Sequence, residues 1–221
     1  MLKTHKAVVG RRYFNITNII VPLVFMIFGL IYRSFIGFVY AEIFLFVQAW
    51  LMIYEISTEY FGYGAIYRKN NFGMEYLKTS INGMNLVKKS MLSDSILRIV
   101  RTIAYTLIPG ILVSRSVDDP KALIVCALTL ANVSVWSVSF TRYVTMYGFL
   151  IMTSAPFFVV GLTIDVLCIN KLINAVSVMI ALIVLLACGV IFTQLFASKK
   201  IKEIMQRSGV IRCIKKFEFI K

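Results

Sequence analysis

The chain has 221 residues, of which 59% are apolar and 15% charged, with a mean hydropathy of +0.83. Soluble domains carry about 25% charged residues, so a globule this apolar could not cover its own surface with polar groups. The net charge of +14 would suggest nucleic acid in a soluble protein. Here the basic residues fall between apolar runs, which is the pattern of membrane topology, and no nucleic-acid partner is expected.

The pattern predicts an all-α polytopic membrane protein of six transmembrane helices, N-in and C-in, in one transmembrane domain over 1–221. About 20 residues of helix cross the hydrocarbon core. The first span is expected at 13–32. It follows Lys3, Lys6, Arg11 and Arg12, but is too long for a secretory signal's apolar core and lacks a small-residue cleavage site. The second span is expected at 35–54 with one acid, Glu42, and a cytoplasmic loop then covers 55–92.

The third span is expected at 93–114 and holds Arg98 and Arg101 one turn apart. By default such arginines snorkel to phosphate headgroups, and the alternative is pairing with Glu55 or Glu59. The fourth span, 122–141, carries Asn132, Ser134, Trp136 and Ser139, read as polar packing groups rather than ligands. The fifth, 143–164, contains Pro156, which favours a break and leaves a re-entrant piece as an alternative. Asp165–Lys171 is read as a turn. The sixth span, 172–197, leads into a basic amphipathic tail at 198–221, expected to bind anionic lipid or a partner.

Orientation follows from the cations. With the N-terminus inside, four precede the first span, seven lie in the loop and the start of the third span, Arg142 is one more, and eight are in the tail. Arg33, Arg115, Lys121 and Lys171 remain outside, four of the 24. This excess fixes the expected orientation and places the chain in a cell membrane, taken as a bacterial plasma membrane.

Catalytic chemistry has little to stand on. There is no Gly-Lys dipeptide for a phosphate-cradling loop, His5 is the only histidine, and the cysteines Cys126, Cys168, Cys188 and Cys213 have no metal-binding spacing. Free thiols, no zinc and no enzyme activity are expected.

The informative segment is the loop. Thr79 to Gly83 offers turn and N-cap residues. From Met84, the residues Met84, Val87, Met91 and Leu92 recur at helical spacing while Asn85, Lys88 and Lys89 face elsewhere. This predicts a short amphipathic helix running into span three, either lying on the membrane or docking a cytoplasmic protein.

A glutamate and leucine, a Thr/Ser turn and a short helix before span three resemble the permease subunits of ABC-2 type transporters. Glu75, Leu77, Thr79, Ser80 and Ile81 match the first half of that family's loop, and Leu86, Val87, Lys89, Met91 and Leu92 approximate the second. Asn82 stands where the family has serine, the family's proline is absent, and the lysine stands in a slightly different register. The resemblance implies a coupling helix, involving Glu75, Leu77, Thr79, Ser80, Ile81, Asn82, Met84, Leu86 and Val87, that docks a separate cytoplasmic ABC ATPase. That ATPase would hold ATP and Mg, so this chain would bind no cofactor.

A second permease chain, expected as a homodimer, would complete a pathway lined by spans two and five. Glu42, Gln48, Thr145, Thr153 and Ser154 are the candidate lining residues. Glu42 either reaches the outer headgroups or lines a cavity, and the hydroxyls either line the pathway or bond their own helix backbone. The implied function is ATP-driven export, with an amphipathic or hydrophobic peptide of the phenol-soluble-modulin or antimicrobial type as substrate. Alternatives are an immunity or drug-efflux permease of the same family, or a stand-alone secondary transporter or channel. No motif supports a lipid-modifying enzyme or a scaffold.

Overall fold

The computed structural model describes residues 2–24, 27, 40–61, 80–113, 120–141 and 147–207, and these are helical throughout apart from short connections, with no strand among them. In chain order the helices are α1 (Leu2–Val9), α2 (Arg11–Asn15), α3 (Tyr40–Phe61), α4 (Ile81–Val113), α5 (Pro120–Thr141), α6 (Tyr147–Ile169) and α7 (Ala175–Arg207). Helix α2 continues into a wider π-helical turn, Ile16–Ile20. Gly10, at φ 92°, breaks α1 from α2, in a backbone region that glycine enters without steric cost.

Local chemistry sets several ends. Ser80, one of the run from Thr79 to Gly83 expected to supply turn and cap, accepts a hydrogen bond from the Gly83 amide at 2.8 Å. Asn174 caps α7 in the same way through the Val176 amide at 3.0 Å. Helix α6 ends in a left-handed residue, Lys171 at φ 55°. The Leu172 amide reaches the Leu167 carbonyl at 2.9 Å and the Lys171 amide reaches that of Cys168 at 3.0 Å, so two carbonyls at the helix end are satisfied.

Side-chain contacts fix the helix directions. The Tyr13 hydroxyl donates to the Thr58 carbonyl and Tyr54 to that of Thr17, so α2 and its continuation run antiparallel to α3. Glu55 meets Arg101 while Thr58 meets Arg98, so α3 and α4 are antiparallel. Gln48 meets Cys126 and Glu55 meets Ser134, so α3 and α5 are parallel. Phe140 stacks on Phe157 while Gly161 lies against Val133 and Thr129, so α5 and α6 are antiparallel. Asn132, Trp136 and Ser139 reach Leu182, Leu185 and Thr193, so α7 runs with α5. The starts of α2, α4 and α6 and the ends of α3, α5 and α7 therefore share one end of the bundle.

Helix α5 is the hub, packed by α3, α4, α6 and α7, while α1 lies along α4. Leu51, Met52, Ile56, Tyr105, Leu130 and Val133 form one apolar core, and Val125, Cys168 and Leu182 a second. Two described helices are long and apolar enough to cross a membrane, over Lys121–Phe140 and Ala175–Leu195, and Ser154–Ile169 is a shorter apolar stretch. Their surroundings differ sharply: 78% of the first is buried against 11% of the second. Helix α7 thus presents Ile180, Ile183, Val184, Ile191 and Leu195 outward.

Three boundaries differ from the sequence expectation. The loop expected at 55–92 is helical at both ends, because Glu55–Phe61 completes α3 and the first three turns of α4 start at Ile81. Glu55 does not end its helix because its charge is satisfied inside the bundle. The short helix expected in the loop is one continuous rod with the segment expected as span three. Pro156 lies inside α6 without breaking it into a re-entrant piece, since a proline leaves only local backbone groups to be re-satisfied by neighbours.

Candidate functional site

The densest polar chemistry is a buried ion cluster between α3, α4 and α5. Asp94, Arg98 and Arg101 recur four and three residues apart, which places them on one face of α4. That face meets Glu55 of α3, which is fully buried. Arg101 grips the carboxylate with two parallel bonds, Nη2 to Oε2 at 2.5 Å and Nε to Oε1 at 2.6 Å. This fork geometry is the strongest form of an arginine–carboxylate contact.

Arg98 divides its donors. Its Nε donates to Asp94 Oδ2 at 2.8 Å, and its Nη1 reaches Glu55 Oε2 at 3.2 Å, the Glu55 carbonyl at 2.8 Å and Thr58 Oγ1 at 3.0 Å. Ser134 of α5 donates to Glu55 Oε2 at 2.8 Å, and Arg101 Nη1 donates to Asn18 Oδ1 at 2.8 Å. Two guanidinium groups face two carboxylates, so the cluster is neutral. Four helical segments are tied at one level. Removing a single charge would leave its partner buried and unmatched, the costly case for an ion pair.

The headgroup expectation for Arg98 and Arg101 is therefore corrected: they are only 2% and 6% exposed and turn inward to Glu55. Asp94 and Asn18 were not singled out from the sequence. Asp94 had a legible signal in its i,i+4 spacing to Arg98, whereas Asn18 had none.

Of the coupling residues, Glu75, Leu77 and Thr79 lie outside the described residues. Ser80 is the cap of α4, and Ile81 and Met84 fall in its first turns. Asn82 and Leu86 are exposed and Val87 is buried, with Ser90 and Met91, so this stretch has an outward and an inward face.

Of the pathway residues, Thr145 lies outside the described residues. Glu42 and Thr153 are on α3 and α6. Gln48 and Ser154 are buried in the bundle, and Gln48 donates to the Cys126 carbonyl at 2.7 Å, bridging α3 to α5. Neither lines an open surface of the single chain. The outward positions of the same helices include Trp50, Ile53, Met152, Val159 and Val160, all apolar. Asn132, Ser134, Trp136 and Ser139 do make the interhelical packing bonds expected of them.

No group of three or more potential metal-ligating acids, cysteines or histidines occurs among the described residues. Comparison of the chain with family profiles, with curated proteins and with solved structures found no match.

Proposed function

We propose that the chain is a six-span, N-in and C-in membrane permease subunit that couples a separate ATPase to export of an amphipathic or hydrophobic peptide. The observation that carries this reading is the length and surface of α4. At about 1.5 Å per residue its 33 residues extend about 50 Å, roughly 20 Å more than a hydrocarbon core. The surplus at the N-terminal end is two-faced. Asn82, Asn85, Leu86 and Lys89 point outward, while Val87, Ser90 and Met91 pack inward.

A rod continuous with a buried helix transmits a push at its end without bending. The Glu55 cluster then passes that motion to α3 and α5, because Arg98 and Arg101 project from the same rod. The alternating helix directions also support the reading. They bring the basic N-terminus, the start of α4 and the end of α7 to one end, where cytoplasmic cations belong. The outward apolar surface of α7 fits contact with lipid.

The test is co-purification from native membranes in mild detergent, comparing wild type with Leu86→Asp. A stoichiometric ATPase that accompanies wild type and is lost with Leu86→Asp is the expected result. Wild-type chain recovered without any ATPase overturns it.

A further inference from the structure

A second buried acid lies outside the ion cluster. Asp165 of α6 is 0% exposed, and neither carboxylate oxygen has a hydrogen-bond partner. Thr129 and Cys126 of α5 and Gln48 of α3 approach it, yet none reaches it with hydrogen-bond geometry. Thr129 Oγ1 donates to the Val125 carbonyl at 2.9 Å, and Gln48 Nε2 to the Cys126 carbonyl at 2.7 Å.

The packing one turn below closes the site. A Cβ on Gly161 would stand 2.7 Å from Val133 Cγ2, 3.2 Å from Met52 Cε and 3.3 Å from Thr129 Cγ2, so α6 touches α5 and α3 there. Thr129 thus borders both the tight crossing and the acid. Water is shut out from the cluster side, and a bare carboxylate in such a place costs several kcal/mol.

Among the described residues no fixed cation answers it. Glu55, with Arg98 and Arg101, stands seven residues from Gln48, about 10 Å along α3, and those arginines are already matched by Glu55 and Asp94. Helix α7 has no Asp, Glu, Lys or Arg from Ala175 to Leu195, and α4 has none beyond Arg101. Around the acid, Cys126 and, one turn on, Cys168 are the ionisable neighbours on α5 and α6, and Lys121 and Lys171 are exposed near the ends of those helices. What remains around Asp165 is its own pair of carboxylate oxygens, with the Gln48 amide and the Thr129 hydroxyl beside them.

We propose that Asp165, with Gln48 and Thr129, is the binding site of one monovalent cation, a proton or a sodium ion, held between α3, α5 and α6. One positive charge neutralises one carboxylate and leaves the closed interface uncharged, whereas a divalent ion would leave an excess charge. Oxygen donors suit a hard cation. Loss of the ion leaves the bare charge behind, which favours separation of α6 from α3 and α5 so that water can reach it. The site therefore ties ion occupancy to the packing of α6.

The test uses the purified full chain in lipid nanodiscs, with Tm followed in choline chloride, sodium chloride and potassium chloride at equal ionic strength across a pH series. A rise of about 2–4 °C in sodium over choline, abolished in Asp165→Asn, identifies sodium. A similar rise on acidification without sodium, again lost in Asp165→Asn, identifies the proton. Equal responses of wild type and Asp165→Asn to both ions overturn the proposal. Isotope-edited infrared spectra of aspartate carboxyl groups give a second readout, with Asp165→Glu, which takes this carboxyl out of the labelled set, as the reference. A labelled band that responds to sodium or to pH in the wild type and is missing from Asp165→Glu is expected, and identical labelled spectra of the two overturn the proposal. No ATPase enters either measurement, so failure here is separate from failure of the permease reading.

Discussion

Glu55 and Arg101, 46 residues apart in sequence, meet in a two-point contact at 2.5 and 2.6 Å inside the bundle. Neither side chain touches solvent to any useful extent. Replacing Glu55 by Gln keeps the shape but leaves the Arg101 guanidinium unmatched, while Asp94 still holds Arg98, and breaking a buried pair this way costs about 3–5 kcal/mol. Thermal unfolding in lipid nanodiscs should show a large fall in Tm for Glu55→Gln. The double variant with Arg101→Met should fall by less than the sum of the single changes, because contacting residues couple.

Gly161 makes a separate, local prediction. Gly161→Ala forces its new methyl against Val133 Cγ2, and overpacking of this kind costs about 1–3 kcal/mol. Combining it with Val133→Ala removes the obstructing atom. Tm should drop in the single variant and recover in part in the pair. An equal drop in both would mean that Met52 and Thr129, not Val133, resist the methyl.

On the proposed permease reading, the first turns of α4 separate folding from docking. Leu86 is 40% exposed and Val87 only 5%. Leu86→Asp should leave the yield and Tm of the purified chain near wild type while abolishing ATPase recovery. Val87→Asp buries a charge and should lower both yield and Tm. Equal damage from the two would assign Leu86 to packing.

Lys171 ends α6 in a left-handed conformation that costs a side-chain-bearing residue about 1–2 kcal/mol. Glycine adopts it freely, so Lys171→Gly should raise Tm slightly, a gain of order 0.5–1 kcal/mol after glycine's greater unfolded-state freedom is counted. Differential scanning fluorimetry of the two proteins side by side would register it.

The sequence was most legible where one physical preference acts alone. Ser80 belongs to the run from Thr79 to Gly83 that reads as turn and cap residues, and Val87 and Met91 read as one apolar face by their spacing, though not as a face turned into the bundle. The apolar runs at 122–141 and 172–197 fall on α5 and α7, although α7 carries on through basic sequence to Arg207. Charges misled where their partners are distant in sequence. Glu55 looked like the start of a loop because its arginines lie 43 and 46 residues on. Arg98 and Arg101 looked like headgroup anchors for the same reason. Asp165 was read as part of a turn because it stands near the end of an apolar run. Only the approach of α3 and α5 shows that it is enclosed.

The seam of polar side chains on α5 has a consequence for biogenesis. Ser134 finds Glu55, a residue already synthesised when α5 emerges from the ribosome. Asn132, Trp136 and Ser139 instead bond residues 50, 49 and 54 positions downstream. During translation these three groups exist for the time it takes to make α6 and the first two turns of α7 before any of those acceptors does. Assembly is therefore ordered by the ribosome: the N-terminal half closes on Glu55 first, and α7 completes α5 last. A nascent chain stopped before Ala175 carries a central helix whose Asn132, Trp136 and Ser139 lack their partners on α7.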